Sequence, residues 1–91
     1  MATLHMMSGQ LSPHSETWHQ LQAMLSADDA ILFLGAGLYN LARLAALPHA
    51  MYVLQTDVTA TGFQPAACVT VIDYEAFVGL GVRYERSLSW N

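Results

Sequence analysis

The chain has 91 residues, 54% of them apolar and only 11% charged, and its net charge of −4 includes three cationic side chains, Arg43, Arg83 and Arg86. A chain of this size fits one domain, residues 1–91, with little stability to spare, and three scattered cations exclude the phosphate-neutralising face that direct nucleic-acid binding requires. Its apolar runs are far shorter than the roughly 20 residues needed to span a bilayer, and a single cysteine, Cys68, excludes a disulfide framework or a paired-thiol site.

So little charge leaves an apolar exterior, and another protein subunit is its expected cover. Met1 to Met7 has neither the basic start nor the long apolar core of a secretory signal, so a cytoplasmic location is expected.

Leu4 to Met7 reads as a first strand ending at Ser8-Gly9. Ser12-Pro13 offers a helix start, since a serine oxygen accepts from unpaired N–H groups and proline has none to lose. Trp18, Leu21, Met24 and Leu25 then mark the apolar face of a helix running to about Ser26. After Asp28-Asp29, the unbroken apolar run Ala30 to Leu34 predicts a central parallel strand covered on both faces. Gly35-Ala36-Gly37 breaks it, and Leu38, Leu41, Ala42 and Ala45 predict a second helix that Pro48 stops.

Ala50 to Leu54 predicts a third strand, and Gln55-Thr56-Asp57 opens a short helix ending at Gly62, where a left-handed turn suits glycine. Val69 to Ile72 is β-branched throughout and predicts a fourth strand. Asp73 is placed to cap a final helix with Tyr74, Phe77, Val78 and Gly81 on one side, and Arg83 to Asn91 reads as a terminal strand or a tail. The alternation of strand and helix predicts an α/β fold: a small Rossmann-like three-layer sandwich around a mostly parallel sheet of four or five strands.

Candidate chemistry is thin. Gly35-Ala36-Gly37 lies at a strand-to-helix turn that suits an anion, but Asn40 stands where a third glycine belongs, so a tight turn is the preferred reading. Cys68 is the one thiol. Its neighbours Ala66, Ala67 and Val69 favour buried packing, with a persulfide carrier as the alternative. His5, His14, His19 and His49 have no metal-site spacing, and His5 has no role readable from its neighbours. Asp57 and Asp73 end strands, where helix N-capping accounts for them better than catalysis. No catalytic, cofactor or metal residue is assigned. Trp90, Tyr52, Tyr39 and Gly37 are the interface candidates. Trp90 heads them because an apolar ring at the extreme C-terminus is wasted unless it docks.

Two segments carry a family resemblance. Met51-Tyr52-Val53-Leu54, with Asp57, Ala60 and Gly62 behind it, and Ile72-Asp73-Tyr74 with Phe77-Val78 are similar to the "VYAL-x-x-D-x-x-A-R-G" and "IDY-x-x-FV" segments of the TusB/DsrH proteins. Thr3-Leu4-His5, Ser12-Pro13, the Asp28 to Leu32 strand and Trp90 agree in order and spacing. The chain departs at Gly35-Ala36, where the family reads "QD" before the glycine that is Gly37 here, and at Thr61, where the family carries arginine.

The resemblance implies a DsrE/DsrF/DsrH-like fold and a non-catalytic, cofactor-free subunit of a heterohexamer with TusC-like and TusD-like partners. In that family the complex passes persulfide sulfur toward 2-thiouridine at the tRNA wobble position. Some DsrH proteins carry a cysteine in the first helix, and Thr17 to Leu25 has none, so the TusB-like version is favoured over a DsrH-like subunit of sulfur oxidation. A free-standing homo-oligomer binding a small anion at Gly35 to Gly37 is the alternative from a different class.

Overall fold

The computed structural model describes residues 2–9, 15–41, 48–62 and 69–90. Within them the chain runs β1 (Thr3–Met7), α1 (Glu16–Met24), β2 (Ala30–Phe33), a 3-10 helix (Gly35–Asn40), β3 (Ala50–Leu54), α2 (Gln55–Thr61), β4 (Val69–Ile72), α3 (Tyr74–Arg83) and β5 (Arg86–Trp90). The sheet order is β4-β3-β2-β1-β5, and every pairing is parallel. The expected α/β sandwich is present, with a sheet wholly rather than mostly parallel.

The order explains the layers. From β1 to β4 each strand is laid beside the last in one direction; α3 then carries the chain back across the sheet, and β5 pairs with β1 at the opposite edge. Right-handed crossovers put helices of opposite winding on opposite faces. Side chains alternate along each strand, so one sheet supplies two cores. Met7, Ile31, Phe33, Met51 and Val53 meet Leu21 of α1, Leu38 of the 3-10 helix and Val58 of α2 on one face. Leu4, Ala30 and Leu32 meet Leu80 and Phe77 of α3 on the other. Ala30 to Phe33 are all buried because β2 is the middle strand and is covered twice.

Several local expectations shift. The N-cap of α1 is Ser15, whose Oγ accepts from the Trp18 N–H at 3.1 Å; Ser12-Pro13 lies outside the described residues. Met24 is exposed, because at about 100° per residue it stands some 120° from Trp18 on the helix. Gly62 ends α2 at φ 68° as expected. Asp57 is not a cap: Leu54 holds that position, and Asp57 sits in the first turn, where its charge favours the positive helix end. Asp73 does cap α3, accepting from the Ala76 N–H at 2.8 Å. On α3 the buried side is Phe77 and Leu80, while Tyr74 and Val78 face solvent. Arg86–Trp90 is a strand in full register with Thr3–Met7.

Candidate functional site

The two cores differ in one respect that bears on chemistry: the face under α1 contains a buried polar chain. His5 lies between Ile31 and Leu88 in the register and is fully buried. A buried histidine must find partners for both ring nitrogens. Asp29, just before β2, supplies one: His5 Nε2 and Asp29 Oδ2 are 2.8 Å apart. Trp90 supplies the other, its indole N–H donating to His5 Nδ1 at 3.0 Å. The rings stack with centroids 6.0 Å apart and planes 27° from parallel.

The indole can only donate, which fixes the tautomer: Nδ1 accepts, and Nε2 carries the proton it gives to Asp29. Asp29 also accepts the Thr3 N–H on Oδ1 at 2.9 Å and the Ser26 N–H on Oδ2 at 3.0 Å. Burial pushes its carboxyl up, but the bonds from His5, Ser26 and Thr3 outweigh that and hold it below the usual carboxylate range.

An aspartate orienting a histidine is two thirds of a nucleophilic triad. Here the third position holds an indole that offers no nucleophile, and all three residues are shut away from solvent. The chain Asp29–His5–Trp90 therefore ties β5, β1 and the loop before β2 together. Sequence reading missed it because the partners stand 24 and 85 residues from His5. The readable signal was a histidine alternating with Thr3 and Met7 on one side of a buried strand.

At the C-terminal end of the sheet, where α/β folds place ligands, the described residues at or just after the ends of β1, β2 and β5 pack closely on one another. A Cβ on Gly37 would lie 1.8 Å from the Met7 carbonyl oxygen, so only glycine fits against β1 there. The Gly37 N–H donates to Leu34 O at 2.8 Å, and the Leu34 N–H donates to Met7 O at 2.8 Å. Buried Asn40, in the place of the missing third glycine, donates through Nδ2 to Gly9 O at 2.9 Å, while the Ser8 N–H donates to Trp90 O at 3.1 Å. The Gly37 N–H, one donor of the turn that suits an anion, is thus already engaged within the chain.

Of the interface candidates, Trp90 docks on its own chain, 8% exposed, which corrects the expectation that its ring needs another protein. Gly37 is buried in the close packing just described. Tyr39 is exposed, and Tyr52 is half-buried on the face under α3. Burial and then Tyr52 push the nearby Tyr84 hydroxyl up. Cys68, Arg43, His14 and Phe63 lie outside the described residues. Among the described residues no group of three or more His, Cys, Asp or Glu side chains is placed to hold a metal ion, and no helix is long and apolar enough to cross a membrane.

A five-strand parallel sheet layered by helices, with a buried Asp–His pair covered by tryptophan, defines a small α/β protein. The chain belongs to the DsrH-like family, whose model, described as DsrH like protein, matches residues 11–87. This is a family of sulfur-relay subunits. No curated protein matches the chain. The matched span holds Asp29 but stops short of His5 and Trp90 on either side, so the network reaches across its limits.

Proposed function

We propose that the chain is the TusB-like, non-catalytic subunit of a TusBCD-like sulfur-relay complex, working with TusC-like and TusD-like subunits in the cytoplasm. It supports persulfide transfer toward 2-thiouridine at the tRNA wobble position. The observation that carries this reading is the sealed Asp29–His5–Trp90 chain: among the described residues, the buried constellation that resembles catalytic machinery contributes rigidity and has no reactive end. Sulfur would reside on a partner's cysteine, and this subunit would hold that partner in place. Tyr39 and Tyr52 remain its candidate contacts. The tRNA branch is preferred to sulfur oxidation because α1, Glu16–Met24, contains no cysteine.

The test is co-expression with C-type and D-type subunits followed by intact-assembly mass measurement. A stable heteromeric complex is expected, and its Cys68→Ala form should still carry persulfide from a donor to an acceptor. A chain that purifies alone in the presence of both partners, or a complex that loses persulfide transfer with Cys68→Ala, overturns the proposal.

A further inference from the structure

We infer that the Asp29–His5–Trp90 chain is a proton-operated latch on the C-terminal strand: a neutral His5 locks β5 to β1, and a second proton on the ring unlocks it. The strand hangs on one side chain. β5 is an edge strand paired with β1 alone. Arg86, Ser87 and Ser89 are exposed, Leu88 is half-buried, and Trp90 is the buried residue of the strand. The Trp90 carbonyl accepts the Ser8 N–H at 3.1 Å, and its indole N–H donates to His5 Nδ1 at 3.0 Å. The second of these bonds is the one a proton can remove.

Proton and indole compete for the same lone pair. Nδ1 of the neutral ring has one, and the indole occupies it. An imidazolium carries N–H on both nitrogens, so a protonated His5 would turn a donor on a donor 3.0 Å away. Nε2 meets no such conflict. It already donates to Asp29 Oδ2 at 2.8 Å, and that carboxylate, held by the Thr3 and Ser26 N–H groups, is the counter-charge an imidazolium needs. Protonation therefore strengthens the Asp29 side of the ring and breaks the Trp90 side. An opposed donor disturbs more than a missing one, since it adds repulsion and leaves two buried N–H groups unpaired. Relief comes when the indole swings out and water reaches Nδ1.

The surroundings leave this choice to Asp29 and Trp90. Ile31 of β2 and Leu88 of β5 flank His5 in the register. Trp18 and Leu21 of α1 pack into this core, while Glu16 and His19 stay exposed. Arg86 lies on the same side of the sheet as His5, beside Thr3, but is exposed, as is Asp28. Among the described residues Asp29 is the charged partner of the ring.

This inference does not depend on the sulfur-relay reading, and its test uses the chain alone, followed by NMR across a pH series. The His5 ring nitrogens report protonation, the Trp90 indole N–H reports its hydrogen bond, and amide exchange reports the hold on β5. As His5 takes its second proton, the indole should lose its bond. Protection of the Ser8 amide and of the β5 amides bonded to β1 should fall with it by at least about tenfold, while amides bonded between β2 and β3 stay protected. His5→Gln, whose amide accepts and donates but takes up no proton, should keep β5 closed throughout. A His5 that titrates with the indole bond and Ser8 protection unchanged overturns the inference, as does one that stays neutral until the whole domain unfolds. A β5 that loosens over the same pH range in His5→Gln overturns it too. The first two outcomes are read on the unaltered chain, so they decide the matter even if His5→Gln does not fold.

Discussion

The two faces of this sheet are made by alternate residues of the same strands and have opposite characters. Under α1 the core is deep and carries a polar chain with its hydrogen bonds filled; under α3 a single described helix covers a smaller core and turns apolar side chains to solvent. The difference shows where sequence is constrained by folding and where it is free for contact. On the first face a polar residue is tolerated because it is completely paired. On the second an apolar one is tolerated outside, where folding gives it no task.

The largest expected effects lie on the polar face. Asp29→Ala strips His5 and the Thr3 and Ser26 N–H groups of their acceptor at once. Each buried group left unpaired costs about 1–3 kcal/mol, so a loss of about 3–5 kcal/mol is expected in urea unfolding, enough to threaten a domain this small. A loss under about 1 kcal/mol would show that the network is incidental. Trp90→Phe keeps a ring but leaves His5 Nδ1 without its donor, and should cost less, about 1–2 kcal/mol. Because Trp90 also pairs through its backbone with Ser8, the variant should keep β5 in place, which hydrogen exchange at the Ser8 amide can follow.

Acid probes the same face. Asp29 ionises more readily folded than unfolded, so it contributes stability that is complete above the usual carboxylate range and is lost as pH falls through its lower folded value. Unfolding free energy should therefore drop on acidification below the usual carboxylate range, and Asp29→Asn should flatten that drop. Identical slopes for the two proteins would remove Asp29 from the account.

What could be read in the sequence divides along the same line. The strands Ala30–Phe33, Ala50–Leu54 and Val69–Ile72 and the Gly62 stop announce themselves, because a buried parallel strand is a short apolar run and a left-handed turn selects glycine. The phase of α3 does not. Tyr74 and Val78 look like core by composition, and only the sheet beneath Phe77 and Leu80 decides which apolar row turns inward. Ser15 and Asp57 show the limit of local rules, since a cap depends on where the helix begins, and a serine or an acid near that point cannot settle it alone. His5 was opaque for a different reason: its partners come from the far end of the chain, and no local window contains them.

The smallest expected effect sharpens the comparison most. Val82 is more exposed than any other large apolar side chain named on the described surface, so Val82→Glu should change unfolding free energy by no more than about 0.5 kcal/mol. Met7 faces the polar network's core, and Met7→Ala there should cost about 2–5 kcal/mol. If Val82→Glu destabilised the chain comparably, the exposed apolar side chains of α3 would be part of the fold and not a contact surface. If it leaves stability untouched while association with the C-type and D-type subunits is lost, these side chains are kept for what lies outside the chain. The same pair of measurements, unfolding and association on one variant, thus separates the residues that make this protein from those through which it meets another.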